Sequence, residues 1–296
     1  MMKKIMLFAV MCLLMGCSNN DNVFDATGTF EATEVTVSAE QTGKLIHFDI
    51  QEGGKVDVNK EVGCIDTIPF YLKARQIGAL KMVYQAQKPN ASTQVAALRQ
   101  QIVKAQEDVK RYAELVKDGA ANRKILDDSR NQLLVLQRQL AAQNSTLGNS
   151  TRSLSAQMGT ADVEKLQVID QLRKCHIMSP ISGIVLEKYA EQGEFVMTGK
   201  PLFKVADIQR LYLRAYITSQ QLSKVKLGQR VTVFSDYGNN LRKSYQGVVS
   251  WISSQSEFTP KTILTNDERA DLVYAIKVAV KNDGSIKIGM YGEVNF

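Results

Sequence analysis

The middle of the chain carries apolar residues at the spacing of a coiled-coil helix. Residues 91–118 contain no glycine or proline, and their apolar positions recur at alternating steps of four and three, which is a heptad pattern. These positions are Ala91, Val95, Leu98, Ile102, Ala105, Val109, Tyr112 and Val116. A second row, with a step of seven, follows at Leu126, Leu133, Leu140, Leu147, Leu154, Ala161 and Val168. We predict a helical hairpin over residues 67–174, with arms of about 50 residues that reach about 75 Å.

Two features of the sequence modify this hairpin. Pro89 lacks a backbone donor and clashes with the preceding helical turn, so we predict a kink or break at residues 88–90. The companion row of the return arm is polar at Gln143, Ser150 and Gln157. The return arm should therefore pack along one narrow stripe and expose its remaining surface to water.

The two segments that flank the hairpin repeat one another without a gap. When Gly43 is aligned with Gly183, glycines and apolar residues coincide along both segments. Each segment alternates short β-rich runs with glycine-containing turns, which is typical of small antiparallel strands. We predict that residues 37–66 and 175–208 form two halves of one flattened barrel.

The C-terminal region alternates apolar and polar residues in several short runs, as β-strands do. The runs span residues 211–217, 228–234, 247–252, 272–280 and 289–296. We predict a small β-barrel over residues 209–296, to which residues 29–36 return one strand.

The repeated halves resemble the lipoyl, or biotinyl-like, fold, whose two halves have this relation. The predicted fold class is therefore mixed β and α: a lipoyl-like β-barrel split by a long antiparallel α-helical coiled-coil hairpin, followed by a small C-terminal β-barrel. True lipoyl carriers present a modified lysine on the tight turn between the halves. Residues 67–174 stand at that place here, so a carrier function would need a modified lysine within the inserted segment.

The N-terminus has the pattern of a secretory signal. Lys3 and Lys4 precede an apolar run over residues 5–15, which is too short for a membrane-spanning helix. The following Gly16 and Cys17 resemble the lipoprotein box, which implies cleavage after residue 16 and acylation of Cys17. Residues 17–28 would then be a flexible tether, and an ordinary signal with a chance cysteine is the alternative.

Composition narrows the function further. The net charge is +7, and removal of residues 1–16, with two lysines and no acids, leaves +5. The basic residues are spread along the chain, which argues against a nucleic-acid partner. His47 and His176 are the only histidines, and no spacing predicts a metal site, a cofactor site or a catalytic group. We therefore expect a protein that is not an enzyme, although His176 beside Met178 leaves soft-metal binding as a minor alternative.

One stretch of the predicted barrel gives the most specific resemblance. The run 257–262, followed by Thr265, Glu268, Arg269 and the run 272–275, closely resembles the barrel of HlyD-type membrane fusion proteins. These are periplasmic adaptor subunits of bacterial efflux and secretion pumps. The resemblance implies an adaptor that links an inner-membrane transporter to an outer-membrane duct of the TolC type. It also implies self-association into a ring, expected to be a hexamer, and attachment to a membrane, with the inner membrane favoured.

The turn between the hairpin arms is similar to the duct-docking tip of such adaptors. Gly119 is a natural helix terminator and Asn122 a natural N-cap, and Arg111 and Leu115 stand at the family's spacing. The family usually has serine where this chain has Asn122. The alternative is that Arg111 is a solvated charge and Leu115 a packing residue.

Two questions of function stay open on the sequence. An ABC-type transporter is favoured as the partner, because the chain ends at Phe296 without the further membrane-proximal domain usual in adaptors of proton-driven RND pumps. An RND pump is the competing partner. A lipid-anchored binding or scaffold module, whose coiled coil serves another partner, is the competing function.

The remaining cysteines flank the hairpin and could form a disulfide in an oxidising compartment. Cys64 aligns with Lys204 and should face water, whereas Cys175 aligns with Val35 and should face inward. Side chains on opposite faces of a sheet do not reach the short Cβ separation that a disulfide needs. We predict two free thiols, although a single bulge would reverse the assignment.

Overall fold

The computed structural model describes residues 24–238, 241–258 and 272–296. It confirms the predicted fold class, with a long helical hairpin inserted into a small β-sandwich and a β-barrel built from both ends of the chain. The signal at residues 1–16, the lipidation site Cys17 and the barrel residues 259–271 lie outside the described residues.

The hairpin contains three helices. They are α1 (Ile68–Ala86), α2 (Ala91–Lys117) and α3 (Arg123–Lys174). The break between α1 and α2 is where Pro89 predicts it, and the Asn90 side chain caps α2 by accepting a hydrogen bond from the Thr93 amide at 3.3 Å. The ascending arm is therefore two helices laid end to end against α3.

The predicted heptad seam joins the arms. Val95 and Ile102 of α2 are buried, as are Leu126 and Leu147 of α3. Further along α3, Val168 packs with Ala161 against Ile77 of α1. The polar companion row at residues 143, 150 and 157 is exposed, so α3 packs along one stripe as predicted.

The sandwich follows the internal repeat element by element. Its strands are β2 (Gly43–Phe48), β3 (Lys55–Val56), β4 (Glu61–Ile65), β5 (His176–Met178), β6 (Gly183–Lys188) and β7 (Phe195–Val196). The halves exchange strands, since β2 pairs with β7 and β3 pairs with β6. Gly43 lies opposite Val196, and its repeat equivalent Gly183 lies opposite Val56, which is a pseudo-twofold arrangement. Neither half can complete its hydrogen bonding without the other.

In the part of the chain that the structure describes, the barrel closes on itself through six strands. They are β1 (Ala26–Ser38), β8 (Pro201–Thr218), β9 (Arg230–Asp236), β10 (Arg242–Phe258), β11 (Leu272–Lys281) and β12 (Tyr291–Asn295). The order is β1-β12-β9-β10-β11-β8, and β8 pairs with β1 to close the ring. A short helix, α4 (Ser219–Leu222), follows β8. The core holds Phe30, Leu211, Leu213, Ile217 and Ile276, all fully buried.

Two strands run through both the sandwich and the barrel. β1 and β8 pair from Thr27 opposite Tyr216 to Ser38 opposite Pro201, with a register shift after Ala32. At that shift residues 207–210 of β8 contain no buried side chain, because β8 leaves one core and enters the other. The two modules are thus connected by a continuous two-stranded ribbon rather than by a loop.

Gly28 marks the closest backbone approach in this ribbon. A Cβ atom at Gly28 would overlap the backbone carbonyl oxygen of Arg214. We expect Gly28→Ala to lower the free energy of unfolding by about 3 kcal/mol, because backbone cannot move aside as a side chain can. Gly159→Ala is the matched control, since a Cβ there meets nothing within 4 Å and alanine favours a helix by about 1 kcal/mol. Urea unfolding of both variants tests the expectation, and equal stabilities would contradict it.

The two described cysteines differ in exposure. Cys64 in β4 is partly exposed, whereas Cys175 at the end of α3 is fully buried, as strand parity predicts. Both are free thiols in the structure. Burial is the main cause that raises the pKa of the Cys175 thiol to about 11, so this thiol is almost entirely protonated at neutral pH.

The cysteine assignment predicts a labelling pattern. In the folded protein a maleimide should modify Cys64 and leave Cys175 nearly unreacted, because the thiolate is the reactive form and Cys175 is buried. After denaturation without reductant, both thiols should react, as counted by intact mass. Two unreactive cysteines in a monomer on a non-reducing gel would instead demonstrate a disulfide.

Candidate docking site at the hairpin tip

A tight turn joins the arms at the end of the hairpin far from the sandwich. α2 ends at Lys117, and Gly119 follows in the left-handed region with a φ of 73°. The Gly119 amide donates to the Val116 carbonyl at 3.2 Å, and the Ala120 amide to the Leu115 carbonyl at 2.8 Å. These bonds satisfy the last carbonyls of α2, so Gly119 terminates the helix as predicted.

Asn122 begins the return arm. Its side-chain Oδ1 accepts a hydrogen bond from the Lys124 amide at 2.9 Å, with extended backbone at Asn122. The predicted N-cap is confirmed. The cap uses only the oxygen of the exposed amide group, so its N–H₂ group can donate outward. A serine at this position would have a single hydroxyl both to cap the helix and to donate a hydrogen bond outward.

Arg111 is presented to solvent near the end of α2. Its side chain is 62% exposed and pairs with Asp108, one turn earlier, while its guanidinium lies 5.4 Å from the centroid of the Tyr112 ring. Exposed ion pairs of this kind contribute little to stability. The guanidinium of Arg111 is thus available to a partner.

Leu115 is an apolar residue that the hairpin does not use. It lies between the seam residues Tyr112 and Val116 and is 38% exposed. The tip therefore carries Arg111 and Leu115 on the last two turns of α2, and Asn122 at the first residue before α3. The predicted site residues occur together at the exposed end of the rod.

The structure adds residues to the tip that sequence reasoning did not single out. Ile125 in the first turn of α3 is exposed, and Lys117, Arg123 and Lys124 are exposed cations around it. Ile125 could have been recognised from its position, because the adjacent Leu126 occupies the seam. The tip thus has two exposed apolar side chains among charged residues of both signs.

No helix in residues 24–238, 241–258 and 272–296 combines the length and the apolar character required to cross a membrane.

Comparison with known proteins gives consistent matches over these elements. A family model described as "RND MFP, barrel-sandwich hybrid domain" matches residues 33–208, more than half of the 296-residue chain. A "UPF0194 membrane protein" of Yersinia pseudotuberculosis serotype O:3 (strain YPIII) is 25% identical, covering 99% of this chain and 98% of the relative. The crystal structure of MacA from Actinobacillus actinomycetemcomitans has a TM-score of 0.57 at 21% identity, covering 92% of this chain and 78% of that one.

A MacA–MexA chimeric protein with the Pseudomonas aeruginosa MexA α-hairpin domain has a TM-score of 0.51 at 21% identity, covering 92% of this chain and 82% of that one. These two structural similarities support the fold. The family match spans both halves of the sandwich and the whole hairpin. The chain therefore belongs to the RND membrane fusion protein family defined by the barrel-sandwich hybrid domain, and it is a periplasmic, membrane-associated adaptor of transport rather than an enzyme.

Proposed function

We propose that this adaptor joins an inner-membrane transporter to a TolC-like outer-membrane duct. The observation that carries the proposal is the hairpin, whose 52-residue helix α3 is about 78 Å long. An apolar seam joins the two arms along the shaft. Leu115 and Ile125 at the tip are also apolar, but they are exposed and lie outside that seam. A rigid rod with an unpartnered tip suits docking across the periplasm.

The anchor belongs at the opposite end of the molecule. We infer that Cys17 carries lipid, and the start of β1 at Ala26 lies nine positions further along the chain. A chain of that length spans at most about 30 Å, so the barrel would stay near the membrane, with the inner membrane favoured. β1 then leads from the barrel to the sandwich, and the hairpin follows. The order from the membrane outward is barrel, sandwich, hairpin and tip.

Exposed apolar side chains near the hairpin base support self-association. They lie on α1 and on the last third of α3: Ile68, Leu72, Met82, Val83, Val163 and Leu166. Large exposed apolar surfaces on a soluble domain usually mark contacts with another protein. Lateral packing of several copies, proposed as a hexameric ring, would cover these side chains.

The transporter is proposed to be of the ABC type. The support is the resemblance of the barrel segment 257–275 to HlyD-type adaptors. The matching family description names RND instead, so a proton-driven pump is the second candidate. Photo-crosslinking from Tyr291, which is 72% exposed on the barrel, would capture the transporter. An ATP-binding subunit in the product supports the ABC type, and a transporter without one supports the RND type.

One experiment tests the adaptor function as a whole. A photo-crosslinker at Arg123 of the tip should capture an outer-membrane protein, while the same group at Tyr291 should capture an inner-membrane protein. Position 135, in the shaft of α3 and exposed, is the control and should yield neither. A single soluble partner captured at the tip would instead favour a lipid-anchored scaffold with a coiled-coil partner site.

A further inference from the structure

The only two histidines of the chain lie in one row of the sandwich with Cys64. In the pairing of β2 with β4, His47 lies opposite Cys64, and in the pairing of β4 with β5, Cys64 lies opposite His176. Residues directly opposite each other on neighbouring strands share a face. Side chains 129 residues apart in sequence thus lie side by side across three strands.

A carboxylate completes the row through a bulge. Glu61 is three residues before Cys64, so plain alternation would place it on the other face. A register shift between Glu61 and Gly63 reverses its parity. Both Val62 and Gly63 are consequently buried, and Glu61 joins the side of Cys64.

The distances describe a compact group of three donors, with His47 beside it. Glu61 Oε1 lies 2.9 Å from His176 Nδ1 and 3.8 Å from His47 Nε2. The ligand atoms of Glu61, Cys64 and His176 all lie within 4.8 Å of one another. Among the described residues, His47 Nδ1 is buried without a hydrogen bond, although Asp49 Oδ2 lies 3.4 Å away.

We propose that Glu61, Cys64 and His176, together with His47, form a binding site for one divalent transition-metal ion of the zinc class. Two imidazoles, a thiolate and a carboxylate are the donors that Zn²⁺ uses, and its tetrahedral geometry places ligand atoms about 3.3–3.8 Å apart. Small side-chain rotations at this partly exposed site would bring the observed separations into that range. From sequence spacing we expected no metal site, because these ligands come together only through strand pairing. The proposal revises that expectation.

The strands that carry the ligands indicate what the ion would do. It would join β4, which leads into α1, to β5, which follows α3. The ion would thus crosslink the two strands at the base of the hairpin. This inference does not depend on the proposed docking partners.

The test is a metal titration of the untagged full-length chain in detergent under a phosphine reductant. Co²⁺ should bind at one ion per chain and produce thiolate-to-cobalt charge-transfer absorption with the visible bands of tetrahedral coordination. Zn²⁺ should displace it. Cys64→Ser should abolish the charge-transfer band, and His176→Gln should weaken binding by at least about tenfold.

Cys175→Ala is the matched control, because this thiol is next to His176 in sequence yet buried in the core. It should keep the band. His47→Gln and Glu61→Gln provide further variants at partly exposed positions, and their melting temperatures without metal show whether they fold. Failure of Co²⁺ to bind, or a charge-transfer band that survives in Cys64→Ser, would overturn the proposal and leave an ordinary cluster of ion pairs.

Discussion

Replacing Leu115 by aspartate should abolish transport while leaving the fold and the membrane attachment intact. The side chain is 38% exposed and lies outside the seam, within the last turn of α2, so the charge stays in water in the free protein. In a helix-to-helix dock the same carboxylate would be buried without a partner. An uncompensated buried charge costs at least about 3 kcal/mol, which weakens binding at least about 100-fold.

Export in cells that carry the intact pump, together with tip crosslinking to the duct, measures this effect. Leu134→Asp is the control, because Leu134 is 44% exposed and lies about 17 Å along α3 from its start. That variant should transport normally. Circular dichroism and membrane fractionation should match the wild type for both variants. Normal export by Leu115→Asp would remove the reason for placing the duct contact at this tip.

Changing Cys17 to serine should release the protein from the membrane into the soluble periplasm. The basic start, the short apolar run and Cys17 have the order of a lipoprotein signal, and each buried methylene of an acyl chain contributes about 0.8 kcal/mol to membrane binding. Without the acyl chains, only the mild positive charge would favour the membrane, and salt screens that attraction.

Membrane fractionation with a high-salt wash measures the release. Cys175→Ser, which removes a thiol far along the chain, should stay in the membrane fraction. Intact mass of the wild type should show the acyl chains on residue 17. A Cys17→Ser variant that remains fully bound after the wash would place the attachment elsewhere in the chain.

The hairpin and its tip could be predicted because their signals are local. A helix repeats every 3.6 residues, so the seven-residue rows identify the buried stripe of α3 without any knowledge of its partner. Pro89 and Gly119 act on the backbone within one turn, and both interrupt the helices at the predicted places. Asn122 caps α3 through a bond to the amide two residues later, which is also a local interaction.

The sandwich was predictable for a different reason, since its internal repeat reveals equivalent positions. The offset that aligns Gly43 with Gly183 also aligns the bounds of β2 with β6 and of β3 with β7. The repeat cannot reveal which strands pair, because hydrogen bonding between distant segments leaves no period in the sequence. The exchange of strands between the halves was therefore visible only in the fold.

By itself the sequence determined the helical rod, the capped tip, the duplicated sandwich and the opposite burial of Cys64 and Cys175, since each follows from spacing along the chain. Tertiary structure alone decided two features. β1 and β8 continue through both the sandwich and the barrel. Because the two strands pair with each other along their length, both run past the boundary that composition places between these modules. The bulge after Glu61 and the register of three strands gather Glu61, Cys64 and both histidines, because a one-residue shift in pairing moves a side chain to the other face.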